Sequence, residues 1–478
     1  MSRVPNPIKG IILGVGLILV RLGLMTEERA RRTTDLAWPR IVTGLARMSK
    51  NAVDVAMVGI AVGGAAIAGV GIASPFWGFA FALGGGIAAG TIAMVSQRYG
   101  ADAYEELGLA IRSSAVLTVG LTLPIALLFF TFPERILSLI STDPAVITQG
   151  TIYLRYISLG IPFAALNLIG SRALVGMDDA YTPMVLRAVG AVANIGFNAV
   201  LIFGLGMGVM GAAFGTVLAN ILVTCGFAVG LIRGGAPLAG SFPVTIDPGG
   251  RYLDHVMMWD LLTIGLPAMG RSLVWTVAEL PMYGILDIFG QEILSAYVIV
   301  RRIWGLMNTP GWGFGLASSS LVGQSLGVGD ETTAEAFGRE IIRLSVGVFL
   351  VSALIVAIFA DQIVWLFVDD PAEVNLAVAT NLLYVACLSI VFRAVSVVVA
   401  GALDGSGDTR WTFMAQIVGM FGVAIPLVYV GATTPLGLWG LYLAFLAESV
   451  VPAALNYYRF KTGKWKVISR SYRPASAD

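Results

Sequence analysis

Apolar runs of roughly twenty residues or more recur along this chain, among them 110–130, 183–204 and 208–232. Each is long enough to cross a hydrocarbon layer about 30 Å thick at about 1.5 Å per residue. Within such a layer backbone polar groups must be satisfied internally, which leaves helices or a closed barrel. A barrel would show short segments of alternating polarity, and the chain has none. Only 12% of the 478 residues are charged, against about 25% in soluble domains. The 58 glycines suit close helix packing in lipid.

Several function classes are excluded on the same ground. A net charge of +1 says nothing about a partner, and no nucleic-acid partner is expected. Cys225 and Cys387 both lie in apolar runs, so no disulfide framework is expected. A single histidine, His255 in a polar loop, excludes an HExxH zinc site, and the absence of GxxxxGK[ST] excludes a phosphate loop. No nucleophile with a base and no suitably spaced aspartate pair is present, so neither an enzyme nor a cofactor is expected. After Lys9, residues 11–20 resemble a signal peptide. No small-residue cleavage site follows, and 27–32 is a charged cluster. A short interfacial helix within 8–24 is expected, with an extra span as the alternative.

Twelve spans are expected near 37–62, 66–96, 108–130, 147–171, 182–204, 208–233, 261–288, 292–325, 341–360, 374–402, 411–430 and 436–459. The second and eighth are long and should tilt or project. With a cytoplasmic N-terminus, all Lys and Arg except Arg135, Arg155, Arg301 and Arg302 fall on or near the cytoplasmic side, as the positive-inside rule requires. Both termini are then cytoplasmic in a multi-pass protein of the plasma membrane. The expected organisation is an N-terminal cytoplasmic or interfacial segment (1–36), a first lobe (37–233), a cytoplasmic Gly/Pro-rich linker (234–260), a second lobe (261–460) and a basic tail (461–478) lying against anionic headgroups.

The chain repeats itself. At a shift of 227, Gly63 meets Gly290, Trp77-Gly78 meets Trp304-Gly305, Gln97 and Gly100 meet Gln324 and Gly327, and Asp143-Pro144 meets Asp370-Pro371. At a shift of 229, Gly176 meets Gly405, and Gly208 and Gly211 meet Gly437 and Gly440. Six spans per half is an even number, so the halves share one orientation. The fold class is therefore an all-α polytopic membrane protein, with twelve transmembrane helices in two parallel six-helix bundles related by a pseudo-two-fold axis along the membrane normal. That design is expected of a carrier that opens a central cavity to each side in turn.

The motifs then reached resemble the multidrug and toxic compound extrusion (MATE) family, within the group that also holds lipid and oligosaccharide flippases. Residues 51–59 resemble its N-(x)2-D-(x)4-G stretch. Residues 95–100 and 322–329 resemble its two S/G-Q-x-x-G turns, and residues 176–183 and 405–410 its loops after the fourth and tenth spans. The likeness covers roughly 37–460, and the acid in the first span is similar to the prokaryotic DNA-damage-inducible (DinF-like) branch. It implies multidrug efflux: a secondary antiporter exporting organic, often cationic, compounds in exchange for H+ or Na+. The alternative is a flippase for a lipid-linked precursor, which an excess of cations lining the cavity would favour. The expected partners are small organic substrates and membrane lipids, and the working unit is a monomer.

Charges within spans cost at least about 2.5 kcal/mol at mid-membrane and mark function. Asp54 is the foremost candidate to exchange a proton or hold a cation. Asn194 and Asn198, four residues apart, share one helix face, and Thr216 lies at a matching depth. Four oxygen-bearing side chains suit a hard cation, so Asp54, Asn194, Asn198 and Thr216 form a candidate Na+ site. They suit a protonated Asp54 equally. Archaeal members of the resembled family commonly carry an aspartate where Asn198 stands. One carboxylate instead of two offers less charge to sodium, so proton coupling is favoured. In the second lobe Glu279 and Arg302 form a candidate polar site, either a structural ion pair or a group that handles substrate or ion, with Arg301 next to it in the span; structural pairing is expected for Arg393 in the tenth span and Glu448 in the twelfth. The glycine clusters at 84–86 and 208–215 are expected to serve close helix contact.

Overall fold

The computed structural model describes residues 6–368 and 374–474, nearly all helical. In chain order the helices are α1 (Pro7–Arg21), α2 (Glu27–Val62), α3 (Gly64–Gly100), α4 (Tyr104–Thr131), α5 (Pro133–Leu137), α6 (Pro144–Ser158), α7 (Ile161–Gly176), α8 (Tyr181–Asn198) and α9 (Gly208–Arg233). A two-residue hairpin pairs β1 (Gly235–Ala236) with β2 (Gly240–Ser241). There follow α10 (His255–Leu286), α11 (Gln291–Met307), α12 (Thr309–Gly327), α13 (Glu331–Ile358), α14 (Ala360–Trp365), α15 (Leu376–Ser406), α16 (Thr409–Ile417), α17 (Ile425–Thr433), α18 (Leu438–Lys461) and α19 (Lys464–Arg470).

Each expected span coincides with a helix or a pair of helices. Among the described residues nine helices are long and apolar enough to cross a membrane, and the pair α6–α7, bent by 49°, makes a tenth. The other two depart for identifiable reasons. The first span, in α2, carries Arg47, Lys50 and Asp54. The eighth is interrupted at Asn308, just before Pro310, a residue that cannot donate to the helix ladder. Pro162 follows the α6–α7 bend in the same way. The fifth and eleventh spans each contain π-helical turns, Ala199–Gly204 and Val418–Ala424.

The repeat is visible in the backbone. Gly63 and Gly290 both have φ +101°, and Gly208 and Gly437 have φ +53° and +56°, values that only glycine adopts without strain. A Cβ on Gly176 would lie 3.0 Å from Val95 Cγ1 where α7 meets α3, and one on Gly405 would lie 2.3 Å from the Ser319 carbonyl where α15 meets α12. The Asp370-Pro371 member of the repeat lies outside the described residues.

The chain forms two compact units, whose limits differ from those expected. One is Val42–Met269; the other runs from Gly270 onward and includes the chain up to Ile41. The described part of the segment 1–36, residues 6–36, therefore belongs to the second unit. Within the second unit Arg29 pairs with Glu340 at 2.5 Å, Arg32 donates to Gln324 at 2.9 Å, and Arg40 stacks over Trp312. A Cβ on Gly313 would approach the Ala37 carbonyl to 2.5 Å, so the first half of α2 packs closely on α12. Helix α1 is fifteen residues long and packs on α13, Val15 meeting Gly347.

The linker is ordered against the first unit. Ile246 N donates to the Leu231 carbonyl at 2.7 Å, and Arg112 Nε donates to the Arg251 carbonyl at 2.7 Å. His255, expected in a loop, opens α10. The basic tail is held by protein carboxylates. Lys466 pairs with Glu335 at 2.6 Å, Arg470 and Arg473 pair with Glu331 at 2.8 and 3.1 Å, and buried Trp465 stacks on Phe460.

Candidate functional site

In the first unit, α2 presents Arg47, Lys50, Asp54 and Val58 at helical spacings of three and four, so they share one face. On α8, Met184, Arg187, Ala191 and Asn194 do the same, and Asp179, one residue before the Ala180 N-cap, accepts at Oδ1 from Thr182 N at 2.9 Å. Both faces line one cavity of about 530 Å³, together with Trp77, Phe81, Tyr153, Asn167, Thr216 and Asn220. That volume lies within the range of organic-ligand sites.

All four side chains expected to converge do so. Asn198 Nδ2 donates to Asp54 Oδ1 at 2.9 Å, and Asn194 Nδ2 donates to Thr216 Oγ1 at 3.2 Å. Lys50 joins the two halves of this network: its Nζ donates to Asp54 Oδ2 at 2.5 Å and to Asn194 Oδ1 at 2.9 Å. Asp54 and Lys50 are 20% and 18% exposed, and Asn194 and Asn198 are buried. Below them Asn220 Nδ2 donates to the Thr216 carbonyl at 2.8 Å, and Asn167 Nδ2 donates to Asn220 Oδ1 at 3.0 Å. A polar track thus continues from Asp54 along the cavity wall.

Lys50 was the residue missed. Its signal was present as the four-residue spacing from Asp54, but a lysine in the first half of a span also fits the cytoplasmic-side cations. Arg187 was missed as well. It lines the cavity and donates Nη2 to the Asn167 carbonyl at 3.3 Å, while its buried Nε has no acceptor among the described residues.

Gly215 on α9 lets the site close. A Cβ there would fall 2.0 Å from Asn198 Oδ1. Gly215→Ala is expected to push Asn198 off Asp54, to cost about 1–3 kcal/mol, and to slow transport beyond what the lost stability accounts for. Thermal unfolding and transport rates measured on the same preparation check this. A folded variant transporting at the normal rate would make the Asn198–Asp54 bond dispensable.

In the second unit the expected Glu279–Arg302 pair does not form. Arg302 is exposed, and among the described residues no ion pair joins it to Glu279. One residue turns an α-helix by about 100°, so Arg301 points inward instead. Its Nη1 meets Glu448 Oε2 at 2.6 Å, and its guanidinium lies 5.1 Å from the Trp275 and Trp304 rings. Among the described residues Arg393 forms no ion pair: it donates to Asn308 Oδ1 at 3.4 Å and stacks over Trp275 at 4.9 Å. Arg271 holds Asp404 through two bonds of 2.6 and 2.9 Å.

The MatE family profile matches residues 39–200 and 267–430. This chain belongs to the MatE family. The two matched segments start 228 residues apart (267 against 39) and end 230 apart (430 against 200), in line with the repeat. Members of the family are transporters, not enzymes, and none of their transport chemistry calls for a cofactor. The probable multidrug resistance protein YoeA of Bacillus subtilis is 27% identical over 400 residues, covering 80% of this chain and 83% of its own. A MATE crystal structure in the bent conformation superposes with a TM-score of 0.82 at 19% identity, covering 98% of this chain and 100% of that one. A Pyrococcus furiosus transporter of the MOP superfamily, described as having a binding pocket of reversed polarity, superposes with a TM-score of 0.80 at 20% identity, covering 98% and 99%. The chain is thus a multi-pass membrane transporter whose relatives act in multidrug efflux.

Proposed function

We propose that this protein exports organic compounds across the plasma membrane by alternating access, exchanging them for protons at Asp54. Both termini face the cytoplasm, and the monomer works alone in its lipid surroundings. The observation that carries this reading is the network of Asp54, Asn194, Asn198 and Thr216 on the wall of a cavity sized for an organic molecule. Only one carboxylate among the lining residues faces that cavity, which favours a proton over a sodium ion as the exchanged species. Protonation of Asp54 removes the charge that holds Lys50, repacks the first unit and expels the cargo.

A second reading concerns the cargo. Arg47, Lys50 and Arg187 line the cavity against Asp54 alone, a balance that repels cations and suits an organic oxyanion or a neutral compound. The same balance suits the phosphate of a lipid-linked precursor. The multidrug-resistance description of YoeA keeps small organic compounds the first reading. Everted vesicles given a proton gradient alone, then a sodium gradient alone, test the coupling ion. Efflux is expected with the first, and full activity with sodium only would reject it. Run with an organic-anion dye, an organic-cation dye and a fluorescent lipid phosphate, the same vesicles separate the cargo classes.

A further inference from the structure

Lys50 stands where a coupling cation would be expected. Its ammonium touches Asp54 Oδ2 at 2.5 Å and Asn194 Oδ1 at 2.9 Å, so a carboxylate and an amide oxygen from two helices bracket one positive charge. These are the oxygen types that bind hard cations. Two more oxygens stand close by in the network. Thr216 Oγ1 accepts from Asn194, and the buried Asn198 Oδ1 has no donor among the described residues. Helix energetics do not explain the arrangement. In an i, i+4 pair the acid is favoured on the N-terminal side, whereas here Lys50 precedes Asp54. A lysine in a span is also costly to bury. What fixes its position is the oxygen cluster.

We propose that Lys50 is the resident cation of this site, a tethered ammonium filling a monovalent-cation position and thereby excluding sodium from Asp54. The inference rests on the reading of Asp54 as the ion-exchanging group. The other charged or titratable side chains lining the cavity are Arg47, Arg187 and Tyr153, none of which adds negative charge to attract sodium at neutral pH. Ion specificity then belongs to one side chain. Removing the ammonium while keeping its length leaves a carboxylate with up to three neutral oxygens around an open position.

The test uses purified full-length protein and Na+ itself as the probe, with binding followed by calorimetry and transport in proteoliposomes. The wild type is expected to give no Asp54-dependent sodium binding. Lys50→Met should bind sodium at least roughly tenfold more tightly than wild type, should lose that binding when Asp54→Asn is added, and should gain transport driven by a sodium gradient. Lys50→Arg, which keeps the charge, should stay blind to sodium. Lys50→Gln substitutes for Lys50→Met if the latter does not fold. Asp54-dependent sodium binding by the wild type, or a folded Lys50→Met or Lys50→Gln that binds sodium no better than wild type, overturns the proposal. Because binding is measured without cargo, a wild type that moves no cargo under any gradient defeats the exporter reading alone.

Discussion

Asp54→Asn is expected to abolish ion-driven export and, unlike a benign isosteric change, to destabilise the protein. The amide keeps an oxygen for Asn198 Nδ2 but loses the charge opposite Lys50, whose side chain is only 18% exposed. Removing one partner of a largely buried pair leaves the other charge uncompensated, at a cost of about 3 kcal/mol. Part of that cost is relieved if Lys50 finds water in the cavity. Proton-driven efflux should fall by more than about tenfold, the loss of one essential interaction, and the unfolding temperature in detergent should drop. Adding Lys50→Met to Asp54→Asn should restore stability, since a neutral pair replaces a lone cation, yet leave export abolished. That split separates the coupling role of Asp54 from its role as a counter-ion. Wild-type export by the single variant would remove Asp54 from the mechanism, and an unchanged unfolding temperature would mean that Lys50 is compensated elsewhere.

The spans were legible because lipid imposes a length and a polarity on each of them, and the repeat because positive-φ glycines such as Gly63 and Gly290 tolerate no other residue without strain. The Asp54 network was legible because a carboxylate in an apolar run is conspicuous and because helical spacing places Asn194 and Asn198 together. Lys50 was harder to read, since the same residue type also marks the cytoplasmic side. Arg301 and Arg302 are neighbours in sequence, and only the phase of α11, set by its packing of Tyr297, Trp304 and Met307, decides which one meets Glu448. The division of α2 between two units was not legible. It depends on Gly313 and Trp312, more than 270 residues away, receiving Ala37 and Arg40.

The largest expected effect on stability lies in the second unit. Glu448 is 1% exposed, its Oε2 meets Arg301 at 2.6 Å, and its Oε1 has no donor among the described residues. The aromatic rings of Trp275, Tyr297, Trp304 and Phe445 surround the guanidinium at 5.1 to 5.9 Å. They stabilise the cation through their faces but cannot replace its counter-charge. Glu448→Ala therefore strands a charge in an apolar surround and is expected to cost about 3–5 kcal/mol, read as a large fall in unfolding temperature in detergent. Glu448→Gln keeps an oxygen for Arg301 and should lose less. Arg301→Met combined with Glu448→Leu should recover most of the loss, because apolar residues of similar volume often match a buried pair. Transport by that double variant then decides what the pair is for. Normal export would make it packing alone, whereas lost export in a stable protein would make the Arg301–Glu448 charge pair a working part of the second unit.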